Sequence, residues 1–298
     1  MGTSLPDPRN YQPPSPVPAG YSKDGILKSL VTLSIDGSAT GELLGYATAD
    51  CERFLHTLDL VPQGQGELLE IGSNPYFTTQ LLRRFRPDYR LSLTNYFGGG
   101  LHEAKQQVRF RDFDDVENTT DFTYQNLNIE SSPFPFEDDR FDVVVFGEVL
   151  EHLTNDPMRA LQEIARVLKP DGRLVLTTPN AARLENVVAF IEGRNIYDPY
   201  SAYGPYGRHN REYTRHELHT LMQHCGFEAE KSFTANVHGD IPVASANSEH
   251  IRTALDSVRD RQHDLGQYLF TRWRNLGTFN PKFPSWLYRS YPAERMAD

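Results

Sequence analysis

Cysteine is nearly absent. The chain has two, Cys51 and Cys225, in 298 residues. Both fall in apolar helical patterns, which reads as buried thiols, and two cysteines exclude a disulfide framework and a four-cysteine zinc site. Basic charge is short as well: 30 Lys and Arg stand against 40 Asp and Glu, for a net charge of −10. A chain whose main ligand is a nucleic-acid backbone carries the opposite excess, so no nucleic-acid partner is expected. No apolar run approaches the roughly 20 residues of a membrane helix, and no apolar core follows basic residues at the N-terminus. The expectation is a cytoplasmic protein with no membrane span and no signal peptide. A G-x-G-x-x-G turn is missing too, since asparagine, not glycine, stands two residues after Gly72. That argues against a dinucleotide.

Proline is crowded at one end. Pro6, Pro8, Pro13, Pro14, Pro16 and Pro18 keep residues 1–20 out of regular helix and sheet. These residues are expected to form an extended arm, disordered in part. From there the pattern predicts a single domain over 21–278 and an aromatic tail over 279–298.

What is present alternates. Leu44, Ala47, Cys51, Phe54, Leu55 and Leu58 recur at helical spacing. A strand over 68–71 hands on to Gly72 and then to a helix with Phe77, Leu81, Leu82 and Phe85 on one face. Strands follow at 89–94 and within 108–127, and FDVVVF at 141–146 reads as a central parallel strand. A helix opens at Asn155-Asp156-Pro157, a strand follows at 173–178, and another helix covers 182–192. Residues 193–213 read as irregular. Thr214-Arg215-His216-Glu217 is a capping box, and Gly226 ends the helix it opens. Strands at 227–233 and 267–273 come last. Such alternation predicts an α/β fold, a mostly parallel sheet covered by helices on both faces, with the site beyond the carboxyl ends of the strands. Those ends are polar: Gly72, Ser73 and Asn74, then Asn95, then Asn128 and Glu130, then Gly147 and Glu148, then Pro179 and Asn180. A purely structural sheet does not need polar residues at all five.

These stretches resemble the class I S-adenosylmethionine-dependent methyltransferases. LLEIGSN at 68–74 is similar to their first motif, NIESSPFPFEDDRFDVVVFGEVLEHL at 128–153 to their third and fourth strands, and ALQEIARVLKPDGRLVLTTPN at 160–180 to the helix and fifth strand beyond. The resemblance covers about residues 66–235. It implies a Rossmann-like fold with a seven-stranded sheet, and S-adenosyl-L-methionine as cofactor. It places Glu70, Gly72, Ser73 and Asn74 along the amino-acid part of the cofactor, and Asn95 by the ribose. Asn128, Ile129 and Glu130 flank the adenine, and Glu148 faces the methionine end or the acceptor. Two departures stand out: a single glycine in the first motif, and Asn95 where relatives carry an acid. Asparagine lacks the charge-assisted hydrogen bonds of a carboxylate.

Methyl transfer to a hydroxyl needs alignment and removal of a proton. His152 or His209 is the expected base, oriented by Glu151 or Glu212; each histidine could equally be a packing residue or a loop pin. Tyr197, Tyr200, Tyr203, Tyr206 and Tyr213 crowd the segment 193–213 among glycine and proline. They suit either a sugar-binding lid, with Tyr200, Tyr203, Tyr206 and Tyr213 as acceptor contacts, or a lid that packs on itself. Trp286, Tyr288 and Tyr291 are placed to close the same site. Magnesium held by Glu148, Glu151 or Glu212 is a further expectation, with no diagnostic spacing behind it. In overall organisation the chain is similar to sugar O-methyltransferases, which implies a sugar or glycan hydroxyl as acceptor, such as that of a methylmannose oligosaccharide. A quinone, polyketide or lipid acceptor, or a methyltransferase-like binding protein without activity, are the alternatives. A homodimer through the terminal arms is also open.

Overall fold

The computed structural model describes residues 17–36, 40–238, 254 and 264–297. Of the arm expected over residues 1–20, residues 1–16 lie outside them. In chain order the elements are α1 (Lys23–Leu30), β1 (Ser34–Ile35), α2 (Thr40–Leu60), β2 (Gly66–Ile71), α3 (Phe77–Phe85), β3 (Tyr89–Asn95), β4 (His102–Arg111), β5 (Glu117–Asn126), β6 (Phe141–Gly147), α4 (Met158–Val167), β7 (Leu168–Pro179), α5 (Leu184–Ile191), α6 (Arg215–His224), β8 (Phe227–Ala235), β9 (Tyr268–Asn275), β10 (Phe283–Pro284) and β11 (Met296–Ala297).

The main sheet runs β1-β4-β5-β3-β2-β6-β7-β9-β8. Strands β5, β3, β2, β6 and β7 run parallel to one another, and β9 lies antiparallel between β7 and β8. Seven of the nine strands are the expected ones. The other two correct the count. Residues 102–111 pair antiparallel with β5 from His102↔Asn126 to Arg111↔Glu117, and β1 adds a short strip beyond them. Only Val108 of β4 is buried, so the strand carries none of the apolar signal that betrays an interior strand. Its lysine and arginines suit an edge, where charge discourages pairing with another chain.

Burial alternates along the central strands. Leu69, Ile71, Val144 and Phe146 enter one core with Leu161, Ile164 and Leu221 from α4 and α6. Leu68, Val143 and Val145 enter the other with Phe54, Leu58, Phe77 and Leu81 from α2 and α3. Both faces are covered, which is why FDVVVF is continuously apolar. The two free cysteines are buried on opposite faces. Thr214 caps α6 as expected, its hydroxyl accepting from Glu217 N at 3.2 Å. Gly226 has φ +82, and a Cβ there would sit 1.8 Å from the Thr278 carbonyl oxygen, so no other residue fits.

The tail does not close the site. Tyr288 is buried in the core shared with α4 and α6, stacked on Phe283 at 4.5 Å, with Tyr291 edge-on at 5.6 Å. Parallel pairing of β10 with β11 holds it there.

Candidate functional site

Strand β2 is flanked by β3 and β6, so the chain reverses direction across the sheet beside it, and a crevice opens at the carboxyl ends. The turn after β2 forms its floor. Gly72 has φ +73, and a Cβ on it would lie 2.6 Å from Val149 Cγ2. Gly72 N and Ser73 N both donate to the Thr94 carbonyl, at 2.9 and 3.1 Å.

Asn95 pins this turn. Its Oδ1 accepts from Asn74 N at 2.7 Å and Ser73 Oγ at 3.2 Å, and its Nδ2 donates to the Tyr76 hydroxyl at 3.1 Å. Tyr76 spends its own O–H on Gln106 Oε1 at 2.5 Å. Its partner must therefore donate, which an amide does and a carboxylate does not. The missing acid thus has a structural cause, and the Asn95 side chain is committed to the protein.

Glu70 lies beneath the turn, where its carboxylate accepts from Thr79 Oγ1 at 2.6 Å, and burial pushes its pKa up to about 8. A carboxyl with a raised folded pKa binds its proton more tightly in the folded chain. Its contribution is full below the unfolded pKa of about 4.3 and is lost as pH climbs toward about 8. Glu70→Gln is therefore expected to gain stability relative to the parent as pH rises, by up to about 1.4 kcal/mol per pH unit within that window. Urea unfolding at several pH values reads this; identical pH slopes for both chains would refute it.

Two clefts share Ile71, Gly72 and Glu148. The first, about 180 Å³, is walled by Leu127, Ile129 and Leu153 and edged by Asn128 and Tyr206. Asn128 Oδ1 accepts from Glu130 N at 3.0 Å, and its Nδ2 donates to the Tyr206 hydroxyl at 3.1 Å. The Glu130 carboxylate accepts from Thr154 N, Asn155 N and Thr154 Oγ1 at 2.7–2.9 Å, tying the loop before α4.

The second cleft, about 70 Å³, holds a residue that sequence reasoning passed over. Arg53 is 6% exposed, with Nε 2.8 Å from Asp50 Oδ1 and Nη2 2.5 Å from the Tyr46 hydroxyl. Burial works against its charge, but Tyr46, Glu148 and Asp50 more than offset that. Tyr46, Asp50 and Arg53 follow each other by four and three residues on α2. A polar stripe at helical spacing inside an apolar helix was the available signal.

Glu148 stands between the clefts at φ +54, a left-handed conformation that costs a non-glycine residue about 1–3 kcal/mol. Thr177 Oγ1 donates to it at 2.8 Å, and burial, eased by Arg53, takes its pKa to about 7.

The next turn carries Glu151 and His152. Glu151 is buried, and its Oε2 accepts from Thr178 Oγ1 at 2.9 Å. The segment 193–213 is clamped over this turn. Asn210 N and Arg211 N donate to the Glu151 carbonyl, and Asn210 Nδ2 to that of His152 at 2.9 Å. The clamp brings His209 to His152, with ring centroids 5.0 Å apart and edge to face. His152 Nδ1 bonds the Arg208 carbonyl at 2.9 Å, and burial, with His209 beside it, lowers its pKa. His209 Nδ1 bonds Glu212 Oε1 at 2.9 Å. Burial opposes charge on His209, but Glu212, Glu151 and Asp198 raise its pKa overall. Glu212 is held ionised by His209 and Arg183 against the effect of burial, and it is ion-paired with Arg183.

His152 lines the first cleft, and His209 lines a third, of about 400 Å³, with Glu212, Arg183, Asn186, Gln267 and Tyr268. The histidine pair thus stands between the first and third clefts.

Three of the four tyrosines offered as acceptor contacts lie elsewhere. Tyr213 is 1% exposed and part of the core, because it precedes the cap of α6 and its backbone bridges Asn180. Tyr200 and Tyr203 are 92% and 82% exposed and line none of the three clefts. Tyr206 does line a cleft, the first, where it meets Tyr96 edge-on at 5.5 Å. Nor do Glu148, Glu151 and Glu212 gather as a magnesium set. Among the described residues, the donors brought within 4.8 Å of one another are those of Glu151, His152 and His209. No described helix is long and apolar enough to cross a membrane.

Comparison with known proteins agrees with this geometry. Residues 43–232 match a family model described as a methyltransferase domain. The chain is 33% identical over 132 residues to compactin diketide synthase of Penicillium citrinum, covering 42% of this chain and 5% of that one. It is 32% identical over 134 residues to a Mycolicibacterium smegmatis protein described as an S-adenosylmethionine-dependent methyltransferase, 45% of each chain. It thus spans less than half the length of these curated relatives. Among solved structures, the complex of the Haloferax volcanii Trm112 methyltransferase activator with a methyltransferase superposes with a TM-score of 0.50 at 18% identity, covering 78% of this chain and 93% of that one. The sheet order, the glycine turn at the switch point and a family match spanning both lead to one assignment: the chain belongs to the methyltransferase-domain family.

Proposed function

We propose that this chain is a cytoplasmic enzyme that methylates a hydroxyl of a sugar or glycan, a methylmannose oligosaccharide being one candidate, with S-adenosyl-L-methionine as methyl donor. The observation that carries the reading is the His152–His209 pair, which stands between the cleft at the first motif and a polar cleft of about 400 Å³.

The residues fit the donor. Gly72, packed against Val149 at φ +73, brings bare backbone to the wall of both clefts, as close approach of a ligand requires. Arg53 would hold the methionyl carboxylate, a role suited to a planar cation in a dry cleft. Leu127, Ile129 and Leu153 offer apolar faces for the adenine, with Asn128 at its edge. When bound, the cofactor supplies an electrophilic methyl on a sulfonium.

The chain's own residues do the rest. Arg183 and Asn186, both donating to Glu212, line the third cleft with the kind of polar groups that a polyol needs. His209, whose Nδ1–H is directed to Glu212, turns Nε2 toward accepting the acceptor's proton. His152, directed by the Arg208 carbonyl, presents Nε2 in the same way.

A second reading, transfer to carbon of a polyketide or quinone, is favoured by the relatives, which include a diketide synthase and a ubiquinone/menaquinone C-methyltransferase of Desulfotalea psychrophila, 28% identical over 126 residues. Calorimetry with S-adenosylmethionine and a panel of acceptors with labelled donor separate the cases. Micromolar cofactor binding with label on oligosaccharides is expected. Label only on apolar rings or carbon acids would overturn the sugar acceptor, and no heat at millimolar cofactor would overturn the enzyme reading.

A further inference from the structure

We propose that Glu151, His152 and His209 form a binding site for a divalent transition-metal ion of the zinc class. The proposal rests on the methyl-transfer reading only for what the ion would act upon, not for its binding; with the ion bound, both Nε2 atoms are ligands and neither imidazole is the base.

The first ground is convergence. One donor atom from each residue lies within 4.8 Å of the others, and the Glu151 Oε1 to His152 Nε2 distance is 3.8 Å. Tetrahedral bonds of about 2.0–2.1 Å hold two ligands about 3.4 Å apart, so loading draws the set together.

The second ground is the state in which each ligand is presented. The Arg208 carbonyl can only accept, so the 2.9 Å contact puts the proton of His152 on Nδ1 and leaves Nε2 bare. The Glu212 carboxylate does the same for His209 at 2.9 Å. Metal-bound histidines are oriented in this way, by a carbonyl or carboxylate on the far nitrogen. Glu151 completes the pattern: Oε2 is held by Thr178 Oγ1 at 2.9 Å, leaving Oε1 on the histidine side. All three side chains are thus directed from behind, and one donor atom of each lies within 4.8 Å of the others.

Third, the surroundings favour a cation. Glu148, Asp198 and Glu212 all act electrostatically on the two imidazoles. Two imidazoles and one carboxylate select a borderline ion with open positions. Magnesium prefers an all-oxygen shell, so the magnesium expectation gives way here to a different metal. The open positions lie where the first and third clefts meet, and would take water or an acceptor oxygen.

The test uses the full chain, stripped with a chelator, without cofactor or acceptor. Titration with Co2+ is expected to develop visible d–d absorption that saturates at one equivalent and is bleached by Zn2+. Glu151→Gln, His152→Asn and His209→Asn should each weaken Co2+ binding by about 10²-fold or more, while His102→Asn on the distant hairpin should not. Thermal unfolding of each variant separates lost binding from lost folding. Absence of a saturable band, or a band unchanged in all three folded variants, would overturn the site. Because neither cofactor nor acceptor is present, cofactor heat without a cobalt band defeats this proposal alone. A cobalt band without methyl transfer to any acceptor defeats the enzyme reading alone.

Discussion

Arg53→Met is expected to lower stability by about 3–5 kcal/mol and to abolish measurable cofactor binding. The stability loss comes from Asp50, which is 5% exposed and would be left as a buried, unpaired carboxylate. The contacts of the guanidinium with Tyr46, Phe54 and Tyr268, at 5.4, 4.9 and 5.8 Å from the ring centroids, go as well. Restoring the fold should not restore the ligand. In Asp50→Leu/Arg53→Met no charge is stranded, and replacing a buried ion pair by apolar residues of similar size is often neutral. The double variant should therefore recover most of the stability by chemical denaturation while remaining silent in calorimetry with S-adenosylmethionine. If it recovers stability and binds as the parent does, Arg53 is structural and the carboxylate lies elsewhere.

His209→Ala is expected to reduce turnover by roughly 10²–10⁴-fold, the usual range for a lost general base. Cofactor affinity should be little changed, because His209 lines the third cleft rather than the first two. Glu212→Gln gives the sharper signature. Burial alone would depress the His209 pKa, and Glu212, through its hydrogen bond, leads the groups that raise it. A base works only when unprotonated, so activity rises with pH through the His209 pKa. Removing the Glu212 charge lowers that pKa, and the rise should move to lower pH. An unshifted pH–rate profile would remove His209 from the role. Activity that collapses with a chelator would instead assign both imidazoles to the metal.

Much of this site was legible in the residues. Strand ends in a parallel sheet are where ligands bind, so polar residues at 72–74, 95, 128–130 and 148 could be found by locating the apolar runs before them. The pairing of Glu212 with His209 was within reach because the two lie three residues apart. The tyrosines were not, because exposure is not a property of a residue type. Tyr206 and Tyr213 differ only in which side of an irregular segment faces the core. Asn95 read as a weakened ribose ligand, and only the spent hydroxyl of Tyr76 explains the amide. Strand β4 was legible only at its end, where VRFRDF reads as strand-like, because an edge strand with one buried residue has little apolar alternation to read.

The amino-acid sequence by itself determined the layered α/β architecture, the succession of its parallel strands along the chain and the level at which a ligand meets them. Those follow from local periodicity and from the rule that buried strands are apolar on both faces. Only the tertiary structure decided which side chains share the site. It carried Arg53 in from a helix that precedes the glycine turn, and it clamped 193–213 so that His209 meets His152 from 57 residues away in the chain, edge to face at 5.0 Å. Such meetings depend on backbone hydrogen bonds between distant segments, as from Asn210 to the Glu151 carbonyl at 2.7 Å, and nothing in either segment's own composition specifies its partner.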